Sequence, residues 1–280
     1  MKELGTTIAI EPRSQEAEDD ADLSGFDQDS SRVRRSDRPA NRLTGDSDEL
    51  GVALQTLSVV HDALERYEPG TPVVSLPVDH LDSRNLDWLD RVLGTSGISI
   101  SYDGAANARI QESVFAGVWR VRHYDDDGRV NADIVEVAPL PKLIARAVFT
   151  KAAAQFALAS LKTLPVALKR ILSELHEALI CYAERGVTHV MNLTDTEESH
   201  LELMQALFGL GPAVIESRGS GNCRITSTNI RGLWWVQFFN TQGEMIVNSL
   251  EVATVPSLVS AEPDDLSESA DSLRNLLADC

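Results

Sequence analysis

Apolar positions at Leu50, Ala53, Leu54, Leu57, Val60 and Leu64 recur at helical spacing and predict a helix with one buried face. The run TPVVSLPV at 71–78 reads as a strand. Leu86, Leu89, Val92 and Leu93 then predict a second helix, ended by Gly94 in the positive-φ conformation of a C-cap. Beyond it the period drops from 3.6 to 2. Ile98, Ile100 and Tyr102 alternate with small or polar residues, and RIQES (109–113), VFAGVWRVRHY (114–124) and VNADIVEVA (130–138) read as further strands. Asp125-Asp126-Asp127-Gly128 supplies a hairpin turn. The predicted unit is helix, strand, helix and an antiparallel run of strands, an α+β arrangement.

The same pattern returns. Arg109, Ile110, Gly117, Trp119, Val121, Gly128, Glu136, Val137, Ala138, Pro141 and Leu143 are repeated without a gap as Arg224, Ile225, Gly232, Trp234, Val236, Gly243, Glu251, Val252, Ala253, Pro256 and Leu258, at a constant offset of 115 residues. The echo extends upstream: Leu172, Leu175 and Leu179 match Leu57, Val60 and Leu64, and THVMNLT (188–194) matches the first strand. Leu201, Met204, Leu207 and Phe208, closed by Gly209, match the second helix, and Asn240-Thr241-Gln242-Gly243 matches the hairpin turn. The expected fold is therefore a tandem duplication, two similar lobes over 50–144 and 166–260. A connecting helix over 145–165 joins them, predicted from the alanine-rich KLIARAVFTKAAAQFALASL. Leu266, Leu273, Leu276 and Leu277 predict an acidic C-terminal helix or tail over 261–280.

Charge sharpens this layout. Residues 11–49 hold twelve acids against six arginines and almost nothing apolar to bury, so 1–49 is expected to be an acidic disordered region. With a further −5 in 262–280, only −7 of the net −18 falls elsewhere. No concentrated basic surface stands out, which disfavours nucleic acid. Cys181, Cys223 and Cys280 are widely spaced, against a disulfide scaffold or a structural metal site. No apolar stretch is long enough to span a bilayer and the start does not read as a signal peptide, so a cytoplasmic protein without membrane insertion is expected.

Strict alternation puts Trp119 and Trp234, with Gly117 and Gly232, on an inward strand face, one indole per lobe. Arg109 with Glu136, and Arg224 with Glu251, are expected to form a cross-strand pair in each sheet. The opposite strand face differs between copies: Arg120, Arg122 and Tyr124 in the first, Trp235, Gln237 and Phe239 in the second. That divergence marks these six as candidate partner-binding residues, with Trp235 and Phe239 either packed against the first lobe or presented to another protein. Catalytic signatures such as GxSxG, HExxH or a P-loop are missing from the sequence, and no catalytic residue, metal or cofactor is expected. His61 and His176 sit beside core positions of equivalent helices. An enzyme or redox use of the inter-lobe groove, through Arg109, Glu136, Arg224, Glu251 and Cys181 or Cys223, stays open, as does a ligand-sensing module.

The segment RIQESVFAGVWRVRHYDDDGRVNADIVEVAPLP (109–141) resembles the hydrogenase expression/formation proteins of the HupH, HyaF and HoxQ type. The resemblance runs from about residue 50 to the end, including the weaker second ending SLEVATVPSLV. It implies a non-enzymatic maturation factor for uptake-type nickel–iron hydrogenase. The implied client is the iron–sulfur small subunit precursor, with its twin-arginine signal peptide, before export. A thioredoxin-like partner of the HyaE/HupG/HoxO type is implied beside it.

Overall fold

The computed structural model describes residues 50–156, 164–218 and 222–279. The expectation made for 1–49 lies outside them. The first half runs α1 (Gly51–Glu65), β1 (Val74–Pro77), α2 (Ser83–Leu93), β2 (Ile98–Asp103), β3 (Asn107–Glu112), β4 (Val118–Tyr124), β5 (Val130–Val137) and a short α3 (Lys142–Ala147). The second runs α4 (Val166–Arg185), β6 (His189–Asn192), α5 (Glu198–Phe208), β7 (Leu210–Arg218), β8 (Asn222–Thr228), β9 (Leu233–Phe239), β10 (Met245–Val252), a 3-10 turn at Ser257–Val259 and α6 (Pro263–Ala278). This is the mixed α+β composition expected. Gly94 and Gly209 close α2 and α5 with φ of 53° and 65°.

The strands form one continuous ten-stranded sheet in the order β1-β5-β4-β3-β2-β7-β8-β9-β10-β6, with every pairing antiparallel. Registers recur between the halves: Val74 pairs with Val137, and His189 with Val252. The halves meet where β2 pairs with β7, with Ile100 opposite its own echo Ile215. The picture of two lobes joined by a helix is corrected here. β2 and β7 would each be an open edge in a separate lobe, and pairing them satisfies both rows of backbone groups at once.

Each side of the sheet is buried differently. On one side α1, α2 and α6 cover Val118, Val135 and Val137 at one end, while α4 and α5 cover Leu233, Trp235, Leu250 and Val252 at the other. On the other side lies a single core shared by both halves, holding Ile100, Ile110, Trp119, Val121, Ile215, Ile225, Trp234 and Val236 under Leu140, Ile144, Val148 and Val259. The two indoles therefore fill one interior and not one per lobe. Their Nε1–H groups donate to equivalent carbonyls, Trp119 to Ala138 (2.9 Å) and Trp234 to Ala253 (3.2 Å).

The expected connecting helix over 145–165 is not formed across its described part. Helix α3 stops at Ala147, and 157–163 lie outside the described residues. Tertiary contacts override alanine propensity: Val148 enters the shared core, Phe149 sets its ring edge-on to Trp234 at 5.0 Å, and Ala153 bridges to Ile230. Phe156 then packs on Phe208 in the second half. Helix α6 crosses the opposite way. Glu262 and Asp265 cap its start reciprocally, Leu266, Ala270 and Leu273 are buried against α1, and Arg274 pairs with Glu65 at 2.6 Å. The stretch read as an acidic C-terminal helix or tail thus belongs to the first half's core.

Candidate functional site

Four central strands, β2, β3, β7 and β8, keep one side open. On the helix-bearing side they present Ser99, Ser101, Arg109, Gln111, Val214, Glu216, Arg224 and Thr226, all exposed or half-buried, and among the described residues neither helical core packs over them. The result is a polar floor between two helical walls. Cross-strand register lays it out in rows. One row runs Arg122, Arg109, Ser101, Val214, Thr226 and Trp235; the next runs Arg120, Gln111, Ser99, Glu216, Arg224 and Gln237.

The divergent strand face identified in the sequence supplies the ends of these rows, beneath or beside the helices. Arg120 is buried, its fork held by both carboxylate oxygens of Asp133, with Nη2 at 2.8 Å from Oδ2 and Nη1 at 3.1 Å from Asp90 on α2. Arg122 spans the same two acids at 2.9 Å from Asp90 and 3.3 Å from Asp133. In the second half Trp235 replaces Arg120 and Asn248 replaces Asp133, and the indole donates to the Asn248 amide oxygen. Trp235 is buried in the core under α4 and α5. It packs within its own half and not on the first, and both it and Arg120 are enclosed. Arg122, Tyr124, Gln237 and Phe239 remain half-buried at the floor's margins.

The expected Arg–Glu pairs do not form, because the two members lie on opposite sides of the sheet. Glu136 registers with Trp119, and Glu251 with Trp234, on the shared-core side. Each glutamate instead accepts a backbone N–H six residues on. Glu136 takes that of Lys142 at 3.0 Å, satisfying a donor at the start of α3, together with the Ser75 hydroxyl. Glu251 takes that of Ser257; burial pushes its carboxyl up, and this hydrogen bond pulls it partway back. Arg109 and Arg224 point to the floor, where they pair with non-equivalent acids, Asp103 and Glu216, at 2.8 and 2.9 Å. Gly117 and Gly232 adopt φ of 73° and 76° in the turns before β4 and β9, where a Cβ would come within 2.9 Å of Leu266 and 2.8 Å of Tyr182.

Other candidate chemistry lies beside the floor or away from it. A cleft of about 320 Å³ at the junction of the halves is bordered by Tyr102, Asp103, Ala147, Lys151, Leu210 and Asn229; of the residues offered for groove chemistry, none is in that lining. Cys223 is buried in the shared core and its thiol is pushed up to about 12 by desolvation and then by the Glu251 charge. Such a sulfur stays protonated and is a poor nucleophile. Cys181 lies on α4, half-buried, and Cys280 lies outside the described residues. His61, Asp62 and Glu65 bring three ligand-type atoms within 4.8 Å of one another on α1. Their acids are already engaged, Asp62 by Arg66 and Glu65 by Arg274. His176 lies on α4, its ring 5.9 Å from that of Phe156.

The family model described as HupH hydrogenase expression protein, C-terminal conserved region, matches the chain twice, at residues 52–158 and 166–280. The chain belongs to the HupH family. Its relatives span most of its length. Hydrogenase expression/formation protein HoxQ of Azotobacter vinelandii is 34% identical over 252 residues, 87% of each chain. Hydrogenase expression/formation protein HupH of Rhizobium leguminosarum bv. viciae is 32% identical over 77% of each. Hydrogenase-1 operon protein HyaF of Escherichia coli K12 is 27% identical over 76% of this chain and 75% of that one. A solved structure, hydrogenase expression protein HupH from Thiobacillus denitrificans ATCC 25259, is 27% identical, covering 41% of this chain and 97% of that chain with a TM-score of 0.39.

Sequence reasoning about this HupH-family chain missed the centre of the floor. Ser99, Ser101, Glu216 and Thr226 carry no motif, and their only signal is alternation in β2, β7 and β8. Asp90 and Asp133, which hold Arg120 and Arg122, were missed because a helix and a strand bring them together across more than 30 residues. No helix among the described residues is long and apolar enough to cross a membrane.

Proposed function

We propose that this protein is a non-catalytic assembly factor in the maturation of uptake-type nickel–iron hydrogenase, and that it holds the iron–sulfur small subunit precursor in the cytoplasm before twin-arginine export. It acts beside a thioredoxin-like partner of the HyaE/HupG/HoxO type. Family membership across most of the chain supports the hydrogenase part of the reading. The observation that carries the binding part is the polar floor, an antiparallel sheet surface flanked by two helical walls, with side chains that are half-buried or exposed. Such a surface offers hydrogen bonds and charge over an extended area, which suits a protein client better than a small substrate.

The margin residues Arg122, Tyr124, Gln237 and Phe239 are its rim in this reading, while Arg120 and Trp235 shape it from below. The redox alternative loses support from the protonated state of Cys223. A photoreactive residue at 122 or 237, in cells making hydrogenase, is expected to capture the small subunit precursor. Normal hydrogenase activity and export after deletion of this protein would overturn the reading.

A further inference from the structure

Of the side chains echoed between the halves, nearly all have a structural account. Ile110 and Ile225, Trp119 and Trp234, and Val121 and Val236 fill the shared core; Gly117 and Gly232 turn the chain; Glu136 and Glu251 hold exit backbone. Arg109 and Arg224 do not fit this pattern. Their side chains are 51% and 38% exposed, and their acids are not equivalent: the echo of Asp103 is Arg218, and that of Glu216 is Ser101. Exposed pairs of this kind contribute little stability. Each is also one-armed, through Nη1 in Arg109 and Nη2 in Arg224, whereas buried Arg120 grips Asp133 with both arms. A guanidinium with an unused fork suits an incoming carboxylate.

We propose that Arg109 and Arg224 are twin anchors for two carboxylates of an extended acidic segment of the client, lying across β2 and β7. This rests on the reading of the floor as the client face. Three interstrand steps and a two-residue offset separate the anchors by about 16 Å, the reach of about five extended residues. Charge supports the assignment locally. The floor and its ends hold five arginines, 109, 120, 122, 218 and 224, against four acids, 90, 103, 133 and 216, on a chain whose net charge is −18. More distant acids are screened beyond about 8 Å at physiological salt.

The test is a titration of the full chain, with nitrogen-labelled arginine, by a short Gly/Ser peptide carrying glutamates at the first and fifth residues of a stretch, on one face of an extended chain, read by NMR at the Arg Nε–H signals. The Arg109 and Arg224 signals are expected to shift together while that of Arg120 stays. R109Q and R224Q should each weaken binding about tenfold with unchanged thermal unfolding, and the Gln version of the peptide should not bind. Absence of binding, equal binding of the Gln peptide, or full affinity in both variants overturns the proposal. Arg109 and Arg224 shielded from phenylglyoxal in the free full chain, and released when the acids at 11–49 are replaced by Asn and Gln, would assign the floor to the chain's own acids and overturn it too. Capture of the small subunit without peptide binding sinks the anchors alone. Peptide binding without that capture sinks the hydrogenase reading and leaves the anchors standing.

Discussion

Arg120 and Trp235 occupy equivalent places in the sheet, each under a pair of helices, and each is satisfied by residue 133 or its echo 248. A buried guanidinium needs its carboxylates; an indole needs a single acceptor. R120W alone takes the two-armed partner from Asp133 and leaves it only Arg122 at 3.3 Å, which is expected to cost about 3 kcal/mol, whereas R120W with D133N copies the second half's solution. The double variant should unfold at higher urea than R120W, and simple additivity in a double-mutant cycle would refute the equivalence. Glu251 gives a pH prediction. Burial raises its carboxyl above the ordinary 4.5, so the folded state favours the proton. Its contribution to stability is therefore full below that value and declines as pH rises through the folded one. E251Q keeps an acceptor for Ser257 and removes the charge, so its melting temperature should exceed that of the parent at neutral pH and converge with it in acid. Cys223, pushed up to about 12, should resist iodoacetamide at pH 8 until the protein is unfolded. Alternation made Trp119 legible as a core residue, whereas the role of Glu136 was not legible, because its partner depends on which strand pairs with which.

At the scale of elements, α6 shows how little of its role follows from its own residues. Its apolar stripe predicts an amphipathic helix, and a helix forms, but the stripe is buried on α1 from the other half of the chain. Removing residues 262–280 should uncover Leu57 and Leu64 and speed amide exchange in α1 far more than in α4, although α4 is nearer in sequence. L273A alone is expected to cost about 2–5 kcal/mol in denaturant unfolding. The edge strands differ as well. β1 ends in Pro77 and is preceded by Pro72, residues that blunt an exposed edge, while β6 ends in Asn192, is preceded by Val187 and leaves Val190 64% exposed. Helices and strands here were legible because periodicity is a local property. The stretch after Ala147 was misread because alanine content favours a helix only where no aromatic side chain has a better place to go, and Phe149 and Phe156 do.

At the scale of the molecule, one core holds both indoles and one sheet carries both halves, so unfolding should be a single transition. Tryptophan fluorescence and far-ultraviolet circular dichroism are expected to report the same urea midpoint, and W119F and W234F should lower it together for both probes. Two separated transitions would show that the halves fold independently. The amino-acid sequence by itself determined the repeat, the order of helices and strands, the hairpin and cap glycines, and the family signature, since each is written in neighbouring residues or in a fixed offset. Only the tertiary structure decided that β2 pairs with β7, that the exit segments cross to opposite halves, and that the shared arginine and shared glutamate face opposite sides. Those outcomes are set by pairing strand edges and filling space between residues far apart in the chain, and no local pattern encodes them.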